Sequence, residues 1–390
     1  MKQLLLHVFL LILLAINATA QESITAIKGK VHFWPTDTIY LQTMPFHSPH
    51  LSELKHQIVS KDSTFSFEFK NIDKPFVVQL FMSEQNAKLN KEHLLYNNLT
   101  DQYFYNQCEK FYTYGTTTFL LEPNRTLNIE LERNWSISKL TPQMAKKYRE
   151  TGVEVSKDNT LEATQKTSIS FLGENTFQNE YFQKSFSLDN KIDNRLDIYK
   201  TLPIDKAIIS LKKIRRNFLD ELEKNKNKLS PTFYNYIYAE IEFSIKKEFL
   251  RFLMLTKEKE MNVFYTNEIP QEIMDIIEFD NENINIETLI SESYNKFLPL
   301  YLNFKLNIKN KSYQRYYEYD INKIRTAIKN FPEKSVYYFI TNYLLQPQTN
   351  RKEMIKTIKN EEAVEELILK TILKYPNGEL NDKLIEKYNL

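Results

Sequence analysis

Between Gly173 and Gly378 the chain runs for 204 residues without a glycine, and that run limits what its second half can fold into. Glycine supplies the φ > 0 backbone of tight hairpins and the bare backbone that lets a ligand approach closely, so a β-rich domain without any is hard to build. Stacked helices joined by short turns need little of it, and Pro203, Pro231, Pro270, Pro299, Pro332, Pro347 and Pro376 offer the punctuation. The whole chain of 390 residues holds only five glycines, at 29, 115, 152, 173 and 378, where ordinary usage would give about 27. No two are close enough to form G-x-G, a Walker A loop or a G-x-S-x-G elbow. Dinucleotide folds, P-loop NTPases and standard α/β-hydrolases are therefore disfavoured.

The apolar period changes along the chain. Up to about Asn134 it is two: Phe65, Phe67 and Phe69 alternate with Ser66, Glu68 and Lys70, and Leu127, Ile129 and Leu131 with Asn128, Glu130 and Glu132. Phe76-Val78-Leu80-Met82, Ile39-Leu41 and the Ala26 to Val31 stretch around Gly29 read the same way, as strands with one buried face. Turn signals separate them at Pro35-Thr36-Asp37, Lys61-Asp62-Ser63, Asn71-Ile72-Asp73 and Glu122-Pro123-Asn124. Past about Pro142 the period is that of a helix. Ser230-Pro231 is a cap followed by proline at the first helical position, and Phe233, Ile237, Ile241, Ile245, Phe249 and Leu253 then recur every four residues. Another stripe runs from Ile204 to Leu222. Further helices are expected over 269–279, 286–306, 317–331, 334–345, 351–358, 361–373 and 379–388. The expected architecture is α+β: residues 21–135 an antiparallel β-sandwich, 136–174 a linker, and 175–390 a helical bundle or array.

Residues 1–20 read as a secretory signal, with Lys2 ahead of an apolar run from Leu4 to Ile16 and Ala18-Thr19-Ala20 as the cleavage site before Gln21. The run is too short to span a bilayer, which takes about 20 apolar residues. Cleavage between Ala20 and Gln21 would deliver a periplasmic or secreted protein with no later membrane-spanning segment and no lipid-bearing cysteine at the cut. Cys108 is the single cysteine, so no internal disulfide is expected and stability must come from packing. Lys and Arg number 52 against 50 Asp and Glu, a balance that gives no basic patch for nucleic acid.

Candidate chemistry is sparse, and no cofactor site is expected. His47, His50 and His56 offer imidazoles that could ligate a metal, but the His47-Ser48-Pro49-His50 stretch reads first as a solvated turn. No histidine follows position 93, so a Ser-His-Asp triad inside the helical half has no base. Glu240 with Glu242, or Asp193 with Asp197, could be paired as acids, although a spacing of two places side chains on different helix faces. Tyr313, Tyr316, Tyr317 and Tyr319 form the best candidate for an exposed aromatic platform that stacks on sugar rings. Asn98, Asn124 and Asn134 head glycosylation sequons that matter only in a host that modifies them.

The segments "ITAIKGKV", "DTIYLQT", "SKDSTFSFEFKNIDKPFVVQLFM" and "TTTFLLEPNRTLNIELE" together resemble the N-terminal β-domain of unknown function in exported thioredoxin-like thiol-disulfide oxidoreductases of Bacteroidota. Pro123-Asn124-Arg125 stands where that family has a Gly-Asp turn. "SISFLGENTFQNEYF", with Phe171, Gly173, Asn175 and Asn179, is similar to the family's entry into its helical middle region, and "ILKYPNGELNDKLIEKYNL" to the end of that region. The family's thioredoxin module carries W-C-x-x-C, and this sequence contains no C-x-x-C, so no catalytic residue carries over. The expectation is a non-catalytic exported binding or interaction protein with a protein or glycan partner in the cell envelope. The alternatives are a glycan or ligand capture module using exposed aromatics, and a hydrolase or lyase with unidentified acids. The last predicts a cleft lined by convergent carboxylates, or a carboxylate beside Tyr and Arg.

Overall fold

A computed structural model describes residues 23–32, 38–81, 117–138, 162–186, 203–256, 271–279, 284–310, 321–345 and 361–389. The architecture is α+β, two four-stranded sheets followed by helices. One sheet has the order β4-β1-β7-β8, built from β1 (Ile24–His32), β4 (Thr64–Lys70), β7 (Thr126–Ser138) and β8 (Glu162–Leu172). The other is β3-β2-β5-β6, from β2 (Thr38–Thr43), β3 (Leu54–Ile58), β5 (Phe76–Phe81) and β6 (Thr117–Leu121). Ile27, Val31, Phe65, Phe67, Phe69, Leu127, Ile129 and Leu131 of the first sheet meet Ile39, Leu41, Val78, Leu80, Phe119 and Leu121 of the second in one core. Along β4 and β7 these are the alternating apolar residues of the sequence. Ser63, Asn71 and Asn124 take positive φ at three of the expected turns, where short polar side chains tolerate the left-handed region.

Two expectations are corrected. The sandwich is not wholly antiparallel, because β1 pairs with β7 in parallel, Ile27 opposite Leu127 and Val31 opposite Leu131. Such a pair needs a long connection, and here all four strands of the second sheet, together with β4, lie within it. The 136–174 segment is not all linker: β8 lies antiparallel on β7 from Asn128↔Leu172 to Ser138↔Glu162. Its sequence, EATQKTSISFL, carries apolar residues only at Ala163, Ile169, Phe171 and Leu172, too few for a period-2 signal to run its length, although threonine favours a strand.

Over β5 and β6 the second sheet is covered on both faces. Val77 and Leu120 point away from the sandwich core into a cluster with Met44, Phe46, Phe182, Leu222, Phe233, Tyr236 and Ile241. This is why β5 reads FVVQLF, nearly continuous apolar, where an exposed sheet face would alternate. Gln79 and Thr118 are the polar exceptions on that face of β5 and β6, and they meet each other, Nε2 donating to Oγ1 at 2.8 Å. The result is three layers: a sheet with one outer face in solvent, a second sheet whose β5 and β6 lie between the sandwich core and the helices, and the helices.

The helices are α1 (Thr176–Phe186), α2 (Ile204–Asn225), α3 (Pro231–Thr256), α4 (Gln271–Ile277), α5 (Ile286–Leu289), α6 (Glu292–Asn310), α7 (Ile321–Asn330), α8 (Glu333–Leu345), α9 (Glu361–Lys374) and α10 (Asn381–Tyr388). α3 is the spine, packed against α1, α2, α4, α5 and α6. The single helix expected over 286–306 is broken at Ile290–Ser291. Asn285 caps α5 through Thr288 N (2.8 Å), and Ser291 Oγ accepts from Tyr294 N (3.2 Å) to start α6. Ser291 Oγ and Ser293 Oγ also donate to the Glu240 carboxylate at 2.8 and 2.6 Å, which fixes the break against α3. Pro299 lies inside α6 and does not end it.

Candidate functional site

A cavity of about 320 Å³ opens where the sandwich meets the helices. Three pieces of chain build it: the β6–β7 turn with Glu122 and Arg125, the end of β8 with Leu172 to Asn175, and the first turn of α1 with Gln178 and Asn179. Each comes into place for a local reason. Asn124 at φ 60° makes the turn that lifts Arg125 toward the cleft, and its N–H donates to Thr25 Oγ1 on β1 at 2.9 Å. Gly173 at φ 94° turns the chain out of β8, and a Cβ there would meet nothing within 4 Å. Thr176 Oγ1 then ties the start of α1 back to Gly173 O at 2.8 Å.

Glu122 is the hub. Its side chain is 9% exposed, and both carboxylate oxygens are engaged. Oε1 accepts from Ser230 Oγ at 2.6 Å, and Oε2 accepts from Arg125 Nη1 at 2.9 Å and Gln178 Nε2 at 3.2 Å. Ser230 also caps α3, its Oγ accepting from Phe233 N at 3.3 Å, and its own N–H donates to Gln178 Oε1 at 3.2 Å. One carboxylate therefore joins the sandwich turn, α1 and the α3 cap, through charge-assisted bonds that are each stronger than neutral ones. Arg125 is half exposed and uses only Nη1, toward Glu122 and toward Asn175 Oδ1 at 3.5 Å. Its Nε and Nη2 have no partner among the described residues. Glu174 and Asn128 are exposed on the rim and likewise unbonded there, while Leu121, Leu127 and Leu172 supply apolar lining. Chemically the cleft can pair with both signs of charge and with amides, and it offers no free buried acid.

The sequence-derived candidates fall elsewhere. Ala20, Gln21, Cys108, Asp193, Asp197, Tyr313, Tyr316, Tyr317 and Tyr319 lie outside the described residues. His47 is not in a solvated turn: its ring meets Tyr338 of α8 edge-on at 4.5 Å, its Nδ1 is sealed from water, and its carbonyl accepts from Asn342 Nδ2 at 2.7 Å. Burial, with Lys74 nearby, lowers its pKa to about 4. His50 faces Asn342 O at 3.4 Å and His56 stands beside Tyr40 on the second sheet, so the three imidazoles do not converge. Among the described residues no three His, Cys, Asp or Glu side chains gather as a metal site, and no helix is long and apolar enough to cross a membrane. Glu240 and Glu242 do point to different partners. Glu240 binds the α6 serines, and Glu242 takes a two-pronged bond from Arg215 of α2, with Nε at 3.0 Å. Tyr238 stands beside that pair, its pKa raised by burial and by Glu242. This is a carboxylate beside Tyr and Arg, but none of the three lines the cleft.

In the sequence Asn124 and Arg125 mark a turn and Gly173, Asn175 and Asn179 a helix entry; only the fold brings them to one cleft. Glu122 and Gln178 carried no signal as partners, since 56 positions separate them. Set beside known proteins, the chain matches no family model, no curated protein and no solved structure.

Proposed function

We propose that the protein is an exported, non-catalytic binding protein, related to the non-redox part of thioredoxin-like oxidoreductases, that holds its ligand in the cleft between the sandwich and α1. The saturation of Glu122 carries this reading. An acid or base catalyst needs a carboxylate with an oxygen free to exchange a proton with substrate, and here both oxygens are spent on Ser230, Arg125 and Gln178. What faces the cavity is Arg125, Asn128, Glu174 and Asn175 above apolar lining, which is recognition chemistry at a volume suited to a small ligand. The absence of C-x-x-C from the sequence supports the same conclusion.

The test is a ligand-observed NMR screen with Asn128→Trp as control, since Asn128 lies on the exposed face of β7 and an indole there fills the cleft mouth without entering the core. Ligands should bind the parent and be lost from the variant; ligands that bind both equally would remove the cleft from the account. In parallel, insulin reduction should show no turnover. Reductase activity that survives Cys108→Ser would refute a non-catalytic role.

A further inference from the structure

The balance of charge in the cleft says more about its occupant, if the cleft is the binding site proposed above. Arg125 and Glu122 neutralise one another at 2.9 Å, yet Arg125 keeps Nε and Nη2 directed at no described partner. That edge of a guanidinium is the one that receives a carboxylate with two parallel bonds. Glu174, on the same rim, is exposed and makes no ion pair among the described residues. With Arg125 and Glu122 cancelling, Glu174 leaves the lining with a net negative charge. A simple anion would be attracted by Arg125 and repelled by the sum, and a simple cation would leave the Arg125 edge unused. A ligand bearing both charges meets both. The amides of Asn128, Asn175 and Asn179 line the same cleft, and side-chain amides can donate to a carbonyl and accept from an N–H. Leu121, Leu127 and Leu172 offer apolar lining against which a side chain can rest.

We infer that the cleft binds a zwitterionic amino acid or short peptide, with the α-carboxylate on the free edge of Arg125 and the α-ammonium on Glu174. Its volume of about 320 Å³ suits one or two residues and not a longer chain, so both termini are read at once. Arg125 is pre-oriented by Glu122, which lowers the cost of ordering a long side chain on binding. Asn175, which accepts from Arg125 and precedes α1, is a positioning residue in the same sense.

Isothermal titration with glycyl-leucine tests this on the full chain, against N-acetyl-glycyl-leucine, glycyl-leucinamide and glucuronate. The free dipeptide should bind, and removing either charge should weaken it about tenfold or more, the scale of one charge-assisted bond. Glucuronate, a carboxylate without an ammonium, should bind no better than the acetylated peptide. Glu174→Gln should weaken glycyl-leucine to the same degree yet leave the acetylated peptide unchanged, a coupling that a purely structural role for Glu174 would not produce. Because Glu174 is exposed and unbonded, that variant does not threaten folding as Arg125→Met does. Equal affinity for free and capped dipeptides overturns the zwitterion assignment, as does the absence of any dipeptide binding. Should some other molecule then bind the parent and not Asn128→Trp, the cleft remains the site and only its ligand class is wrong.

Discussion

His47 gives the protein an acid-sensitive joint between its two halves. The β2–β3 connection carrying His47 is held to α8 by Asn342 Nδ2 on His47 O and by the ring contact with Tyr338. Lys383 of α10 donates to His50 O on the same connection. The imidazole pKa falls from 6.5 to about 4 because burial, and then Lys74, disfavour the imidazolium. With the folded value below the unfolded one, the unfolded chain takes up the proton first. The stability contribution is therefore complete above pH 6.5 and is lost as pH falls from there toward 4. A full shift of that size is worth at most about 3 kcal/mol, at 1.36 kcal/mol per unit. His47 is only partly buried as a residue, so we expect roughly 1–2 kcal/mol to be realised by pH 5. Carboxyl groups elsewhere respond to acid as well, and the comparison with His47→Phe isolates the joint: the substitution keeps an aromatic edge against Tyr338 and removes the proton. Urea denaturation at pH 7.5, 6.5, 5.5 and 5.0 should show the parent losing about 1–2 kcal/mol more than the variant across the range. Parallel loss in both proteins would refute the argument.

Three other perturbations follow from particular contacts. Glu122→Ala strands Arg125, Gln178 and Ser230 Oγ together and should cost about 2–4 kcal/mol in chemical denaturation; Glu122→Gln, which keeps the shape but loses the charge, should cost less. Gly29→Val should unfold the sandwich or lower its midpoint by several degrees, because a Cβ on β1 would stand 2.6 Å from the Phe65 ring and 2.8 Å from Ile129 O. Lys387, whose pKa burial lowers to about 8 while its Nζ donates to Leu344 O at 2.8 Å, should acylate ahead of the other lysines at pH 8, as peptide mass mapping after brief, limiting reagent would show. Even modification across all lysines would contradict that environment.

Much of the fold is legible in the sequence because its causes are local. Phe65, Phe67 and Phe69 alternate since one face of β4 is in water. Ser230-Pro231 marks the start of α3 because a cap and a fixed φ act within one turn. The described residues of the glycine-free run after Gly173 are mostly helical, and helices need no left-handed backbone in their interiors. What stayed hidden depends on partners far along the chain. β8 is held by backbone pairing to β7 and carries too few apolar residues to announce itself. β5 is sealed on both faces, a fact of layering that FVVQLF shares with any buried segment. Ser291 ends one helix and starts the next because Glu240 of α3 is there to receive it. The cleft is the clearest case. Asn124, Gly173 and Ser230 are readable as turn, exit and cap, each from its own few residues. That the three converge on the carboxylate of Glu122, and leave Arg125 with a free edge beside Glu174, is decided only when the sandwich closes against α1 and α3, since hydrogen bonds reach about 3 Å and sequence separation says nothing about who lies within that distance.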